Sequence, residues 1–239
     1  MQMSQMHYLP IAPAFFAILV GVFFIVLILR SVSYAYESLG VSHHAAMWLL
    51  FASLLGSFFN IPIAELPPEQ VMSNQVVDFF GMRYEVPAVS HWQGTIIAVN
   101  VGGAVIPTLV SIYLLIKNQL WVKGLVATAI VAVIMHWLAT PVPGVGIALP
   151  VFMPAVITAI VAVILSRRER QEAAPLAYIA GGLGTLIGAD ITNLDKVRGL
   201  GAPVASIGGA GTFDGIFLTG ILAVLLASFY APPRSIQVG

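Results

Sequence analysis

Two scarcities shape this sequence. It has no cysteine, which excludes disulfides, Cys-x-x-Cys-His haem attachment and thiolate zinc sites. Charge is nearly as rare: 8% of the 239 residues are charged, against roughly 25% in a soluble domain. Ten Lys/Arg and ten Asp/Glu cannot solvate a globule of this length, so a soluble enzyme is excluded. The net charge is zero and no basic patch exists, which excludes nucleic acid as a partner. What fills the chain is apolar, 59% by count. The composition predicts a polytopic, all-α membrane protein whose first partner is the lipid bilayer.

A spanning helix needs about 20 mostly apolar residues. Seven segments qualify, roughly 11–29, 45–63, 92–116, 120–138, 148–166, 175–190 and 212–230. The fourth breaks at Thr140-Pro141-Val142-Pro143-Gly144, which a helix cannot cross intact. With seven spans, Arg30, Lys117, Lys123, Arg167, Arg168, Arg170 and Arg234 fall on one side. Arg83, Lys196 and Arg198 fall on the other. The positive-inside rule makes the first side cytoplasmic, with the N-terminus outside and the C-terminus inside. The whole chain, 1–239, reads as one transmembrane domain. Its long external loop, 64–91, holds a β-hairpin pattern about Gly81 between Val76 and Val86.

The last third is compositionally different. Eleven of the 22 glycines lie between Gly181 and Gly220. Residues 199–212 are apolar yet rich in Gly and Pro, too broken for a helix and too apolar for an ordinary loop. Backbone of that kind survives at membrane depth only against protein or around a wet cavity, so a re-entrant segment is expected. Asp190 and Asp214 bracket it. An ionisable group in a span costs about 2.5–3.5 kcal/mol even on the lenient scale and points to function. Asp214 has no basic residue within fifteen positions, so it must be protonated or paired across helices. Asp190 has Lys196 and Arg198 nearby, which offers a plain interfacial ion pair as the alternative.

Other polar residues collect at the same predicted depth. These are Asn60, Asn100, His136 and Asn193, all in the outer half of the bundle. Singly each has a structural explanation: asparagine bonds helices together, and His136 with Trp137 suits an interfacial belt. Grouped, Asp214, Asp190, Asn100, Asn193 and His136 form a candidate set of oxygen and nitrogen donors for a metal cation or proton, and Asp190 with Asp214 a candidate catalytic pair. Gly184-xxx-Gly188 and Gly211-xxx-Gly215 would let the sixth and seventh segments pack closely and bring the aspartates together. Met1, Met3, Met6 and His7 are soft donors suited to Cu(I), although chance methionines at a chain start explain them as well. External His91 with Glu65 is a still weaker pair for a divalent ion.

Gly188-Ala189-Asp190, Gly201-Ala202-Pro203 and the run from Gly208 through Thr212-Phe213-Asp214-Gly215 to Gly220 resemble the signature of a prokaryotic integral-membrane family known only as a domain of unknown function. Asn60-Ile61-Pro62-Ile63 and Asn100-Val101-Gly102-Gly103 resemble its other motifs. The resemblance runs from the second segment onward; it implies a prokaryotic inner membrane, and a site without implying its chemistry. A weaker likeness is to presenilin-type intramembrane aspartyl proteases, with Gly209-Ala210-Gly211 set two residues too far from Asp214. That family's Tyr-Asp pair is missing here, and Ala148-Leu149-Pro150 scrambles its proline element.

Three functions follow from these residues. Clustered oxygens would bind or conduct a cation or proton. Two aspartates sharing one proton would activate water in an intramembrane hydrolase. Polar groups that only fix helix packing would suit an accessory subunit of a membrane complex, or a homo-oligomer. Clustered oxygens ask least of the geometry, so cation or proton handling is the leading expectation.

Overall fold

The computed structural model describes residues 11–67, 76–79, 82–85, 94–142, 146–150, 152–198, 200, 202–209 and 215–230. Met1, Met3, Met6, His7, His91 and Asp214 lie outside them.

Seven α-helices are present among the described residues: α1 (Ile11–Ser38), α2 (His43–Gly56), α3 (Ile106–Lys117), α4 (Trp121–Leu138), α5 (Met153–Leu165), α6 (Ala173–Thr185) and α7 (Gly215–Tyr230). Apolar runs of helical length account for them, and proline stands in the first turn of α3 and α5, where its missing N–H costs nothing. Helical structure is long and apolar enough to cross a membrane at Ala17–Ser38, Trp121–Leu138 and Arg170–Val197. The protein is therefore mostly helical and membrane-associated. The other apolar helices are shorter, between 10 and 17 residues.

The chain is not all-α. Strands β1 (Asn60–Leu66), β4 (Thr95–Asn100) and β7 (Val204–Ile207) form one sheet in the order β1-β4-β7. Strands β2 (Val76–Phe79) and β3 (Met82–Glu85) pair as the expected hairpin, and β5 (Thr140–Val142) pairs with β6 (Gly146–Ala148) across the Pro-Gly break. Several segment boundaries change in consequence. The second segment ends at Gly56, and its tail, with Asn60, is strand. The third begins at Val101, because 95–100 extend to pair antiparallel with β1 and parallel with β7. Within 199–212, residues 204–207 are a strand whose backbone is bonded to β4, so it is regular where irregular backbone was expected.

The two ends of the bundle differ. One carries the tight connections α1–α2, α3–α4 and α5–α6, joined by Lys117 Nζ donating to the Gly40 carbonyl at 2.7 Å and by the Lys123–Glu172 ion pair. Arg170 stacks on the Tyr230 ring there, 5.0 Å from its centroid. The other end carries the β1-β4-β7 sheet and the β5–β6 hairpin. Helix α6 anchors the middle: it packs against α3, α4, α5 and α7 and is almost wholly buried, whereas α1 is largely exposed.

Glycine makes those contacts possible, but not where the sequence suggests. Gly184 and Gly188 face α4, not α7: a Cβ on Gly188 would stand 2.1 Å from the Ala132 carbonyl oxygen, and one on Gly184 would stand 2.7 Å from a Val131 methyl. The α6–α7 contact runs instead through Gly181 and Gly220, whose Cα would lie 3.1 Å from a Cβ on Gly181. The stripe expected to join the sixth and seventh segments thus joins the sixth to the fourth.

Candidate functional site

The site forms where the sheet meets two irregular helix ends. Asn100 closes β4 and caps the π-helical turn Val101–Val105 that leads into α3, its Oδ1 accepting the Gly103 N–H at 2.8 Å. Its Nδ2 donates to the Ser57 carbonyl at 2.8 Å and to Asn60 Oδ1 at 3.0 Å. Every polar atom of this fully buried side chain is used. Ser206 Oγ stands 2.7 Å from Asn60 Oδ1 and 2.6 Å from the Gly209 carbonyl, and its single proton serves one or the other. Antiparallel pairing of Asn60 with Asn100, and parallel pairing of Val99 with Ile207, bring these residues to one end of the sheet.

On the far side, α6 runs into a second π-helical turn, Leu186–Asp190, and then a 3-10 stretch, Ile191–Val197. Single π turns concentrate at functional sites; the described residues hold two. Gly208 joins them. It has φ +97°, and a Cβ there would stand 2.6 Å from the Ala104 amide nitrogen in the first π turn. Its N–H donates to Asp190 Oδ2 at 2.7 Å. A cavity of about 100 Å³ opens beside that bond. Asp190, Leu194 and Val197 line one wall, Val204 to Ile207 and Gly209 another, and Gly146 and Ile147 of β6 close it.

The remaining predicted site residues are spread around this centre. Asn193 is buried, but it turns back on its own helix: Nδ2 donates to the Gly188 and Ala189 carbonyls, each at 2.9 Å. Its Oδ1 accepts from Lys196 Nζ at 2.6 Å. Lys196 therefore partners Asn193 and not Asp190, and among the described residues no basic side chain pairs with Asp190. Thr192 Oγ1 donates to the Gly188 carbonyl at 2.7 Å and lies 2.8 Å from His136 Nδ1. Since Thr192 has one proton to give, Nδ1–H of His136 is the donor between them. Trp137 beside it is exposed. No group of three or more His, Asp or Glu side chains converges as a metal site among the described residues.

The arrangement thus brings Asp190, Asn60 and Asn100 to the sheet end, with Asn193 in the 3-10 stretch that follows Asp190 and His136 on α4, beside Thr192. Ser206, Gly208 and Thr192 complete it. The sequence marks none of these three as a donor, although Ser206 is the one hydroxyl in an apolar strand and Gly208-Gly209 follows shortly after it.

The sequence profile of the family described as protein of unknown function DUF1614 matches residues 54–226. The chain belongs to DUF1614. The matched region takes in every described residue of the site and leaves out α1. No curated protein and no solved structure matches this DUF1614 chain, so nothing in those comparisons supports the likeness to presenilin-type proteases.

Proposed function

We propose that this DUF1614 protein takes up and releases a small cation, in the first instance a proton, at Asp190. One observation carries the reading. Asp190 lies within a largely buried span with one carboxylate oxygen held by the Gly208 N–H, and it borders a cavity without a described basic partner. A carboxylate in that position is costly unless it binds a cation or a proton. Its fixed oxygen sets the orientation and leaves the other for exchange. Broken helices beside a carboxylate suit such a role in membranes. In this reading all seven helices lie in the bilayer, the sheet end is outward, and β7 is the membrane-depth part of a re-entrant segment whose backbone is satisfied by β4. Asp214 follows that segment and serves as a second acid on the same route.

The test is flux. Purified protein in liposomes with an internal pH dye should dissipate an imposed proton gradient, and Asp190→Asn should remove that activity while the protein stays folded. Flux that follows sodium or potassium and not the proton would keep the site and change its ligand. Equal flux in wild type and Asp190→Asn would refute the role of Asp190. Peptide cleavage dependent on both aspartates would favour the hydrolase. A protein without flux, purified only within a larger membrane complex, would favour the accessory subunit.

A further inference from the structure

The cavity beside Asp190 is bounded by backbone as well as by side chains. Side chains alternate across a strand, yet four consecutive residues of β7, Val204 to Ile207, line it. They do so along the strand's edge: β7 ends the sheet β1-β4-β7, and among the described residues no strand pairs with its other side. The ladder fixes which groups stand there. The Ile96 N–H donates to the Pro203 carbonyl at 3.1 Å, and Ile96 is in register with Val204. In such a parallel ladder the backbone of 203, 205 and 207 bonds β4, while the N–H and C=O groups of Val204 and Ser206 point away from it. The Gly209 N–H donates back to the Ser206 carbonyl at 3.2 Å. That leaves the Val204 N–H, the Val204 carbonyl and the Ser206 N–H without a partner among the described residues.

Buried backbone groups in folded proteins are nearly always paired, and lipid cannot pair them. These three border a cavity that also meets Asp190, whose other oxygen is the one held by the Gly208 N–H. Leu194, Val197 and Ile147 make the remaining walls apolar. Two donors and a carbonyl beside a carboxylate are a mixed set, and the mixture selects the occupant. A bare metal ion would be repelled by the N–H groups, and a proton on Asp190 would leave them unpaired. At about 100 Å³ the space is far below the roughly 300–1,000 Å³ of drug-sized pockets, so the occupant has few heavy atoms.

We propose that this cavity binds a small zwitterion of the α-amino acid class, glycine or alanine in size, with its ammonium group on Asp190 and its carboxylate on the N–H groups of the β7 edge. The Val204 carbonyl is a second acceptor for the ammonium group. The apolar walls suit a hydrogen or methyl side chain and oppose a charged one. Such binding rests on the reading of Asp190 as a cation site and names the cation. Ligand and proton then compete for the same carboxylate oxygen.

Equilibrium binding to the full chain in lipid nanodiscs, with radiolabelled L-alanine and glycine as probes, tests this. Both should bind saturably and displace one another. Methylamine and acetate, the two halves of the ligand, should each compete about tenfold more weakly or worse, as should alanine at Asp190→Asn, since each case loses a charged hydrogen bond. Should Asp190→Asn fail to fold, Ile147→Ala gives an independent check: a wider apolar wall should shift preference from alanine toward valine. In liposomes, saturating alanine should slow the proton flux. No saturable binding to the wild type, or methylamine bound as tightly as alanine, would overturn the zwitterion, and flux still dependent on Asp190 would leave the proton site standing. Alanine bound equally by wild type and Asp190→Asn would overturn its placement here. Alanine binding lost in Asp190→Asn, with flux indifferent to that substitution, would keep the ligand and overturn the proton.

Discussion

The two ends of this bundle solve the problem of helix termini in opposite ways. At the tight-turn end, short connections close the helices and the polar contacts are few and partly exposed, as with Lys123 and Glu172 (36% and 17% exposed side chains). At the sheet end, chain segments far apart in sequence interlock. Asn100 reaches Ser57 and Asn60, Gly208 reaches Asp190, and Ser206 reaches Asn60 across 146 positions. Surface pairs of the first kind contribute little. The bonds of the fully buried Asn100 are expensive to break, because each lost partner leaves a group that neither lipid nor protein satisfies. The bundle is held at one end and specified at the other, and the specified end contains the ionisable group.

That contrast makes graded predictions. The largest effect should come from Gly188→Ala, whose Cβ would meet the Ala132 carbonyl oxygen at 2.1 Å. Two helix backbones would have to separate, at a cost of about 3 kcal/mol or more, read as loss of monodisperse protein or a lowered thermal midpoint in detergent. Asn100→Ala should cost about 2 kcal/mol, since the Ser57 carbonyl and the Gly103 N–H both lose their partner. A drop under half a kilocalorie there would mean that the sheet end is not the specified one. Lys123→Met, at the tight-turn end, should change stability by less than about 1 kcal/mol. A larger loss would erase the contrast from the other side.

The helices could be read from sequence because an apolar run of sufficient length has few other fates in lipid. The hairpin about Gly81 could be read from its turn. The β1-β4-β7 sheet could not, for a physical reason. Alternation identifies a strand only where one face meets water, and Asn60-Ile61-Pro62-Ile63 and Thr95 to Asn100 are embedded in continuous apolar runs that look equally helical. The parallel pairing of β4 with β7 is also wholly non-local. The polar residues stand out in the sequence one by one, and the fold brings Asn60, Asn100 and Asp190 near one sheet end. Their partners were hidden. Nothing local says that Lys196 serves Asn193 in a 3-10 turn, or that Gly208 supplies the N–H for Asp190. The Gly184–Gly188 stripe announced a close helix contact without saying which helix would fill it.

The central claim is that Asp190, poised between the Gly208 N–H and the cavity, is a group that gains and loses a proton inside the bundle. Infrared difference spectra of the protein in bilayers, recorded across a pH titration, test it most directly. The account predicts a protonated-carboxyl stretch that comes and goes reversibly with pH, is absent from Asp190→Asn, and persists in Lys123→Met. A carboxyl signal unchanged by Asp190→Asn, or an Asp190 that never changes protonation across the range where the protein stays folded, would contradict it.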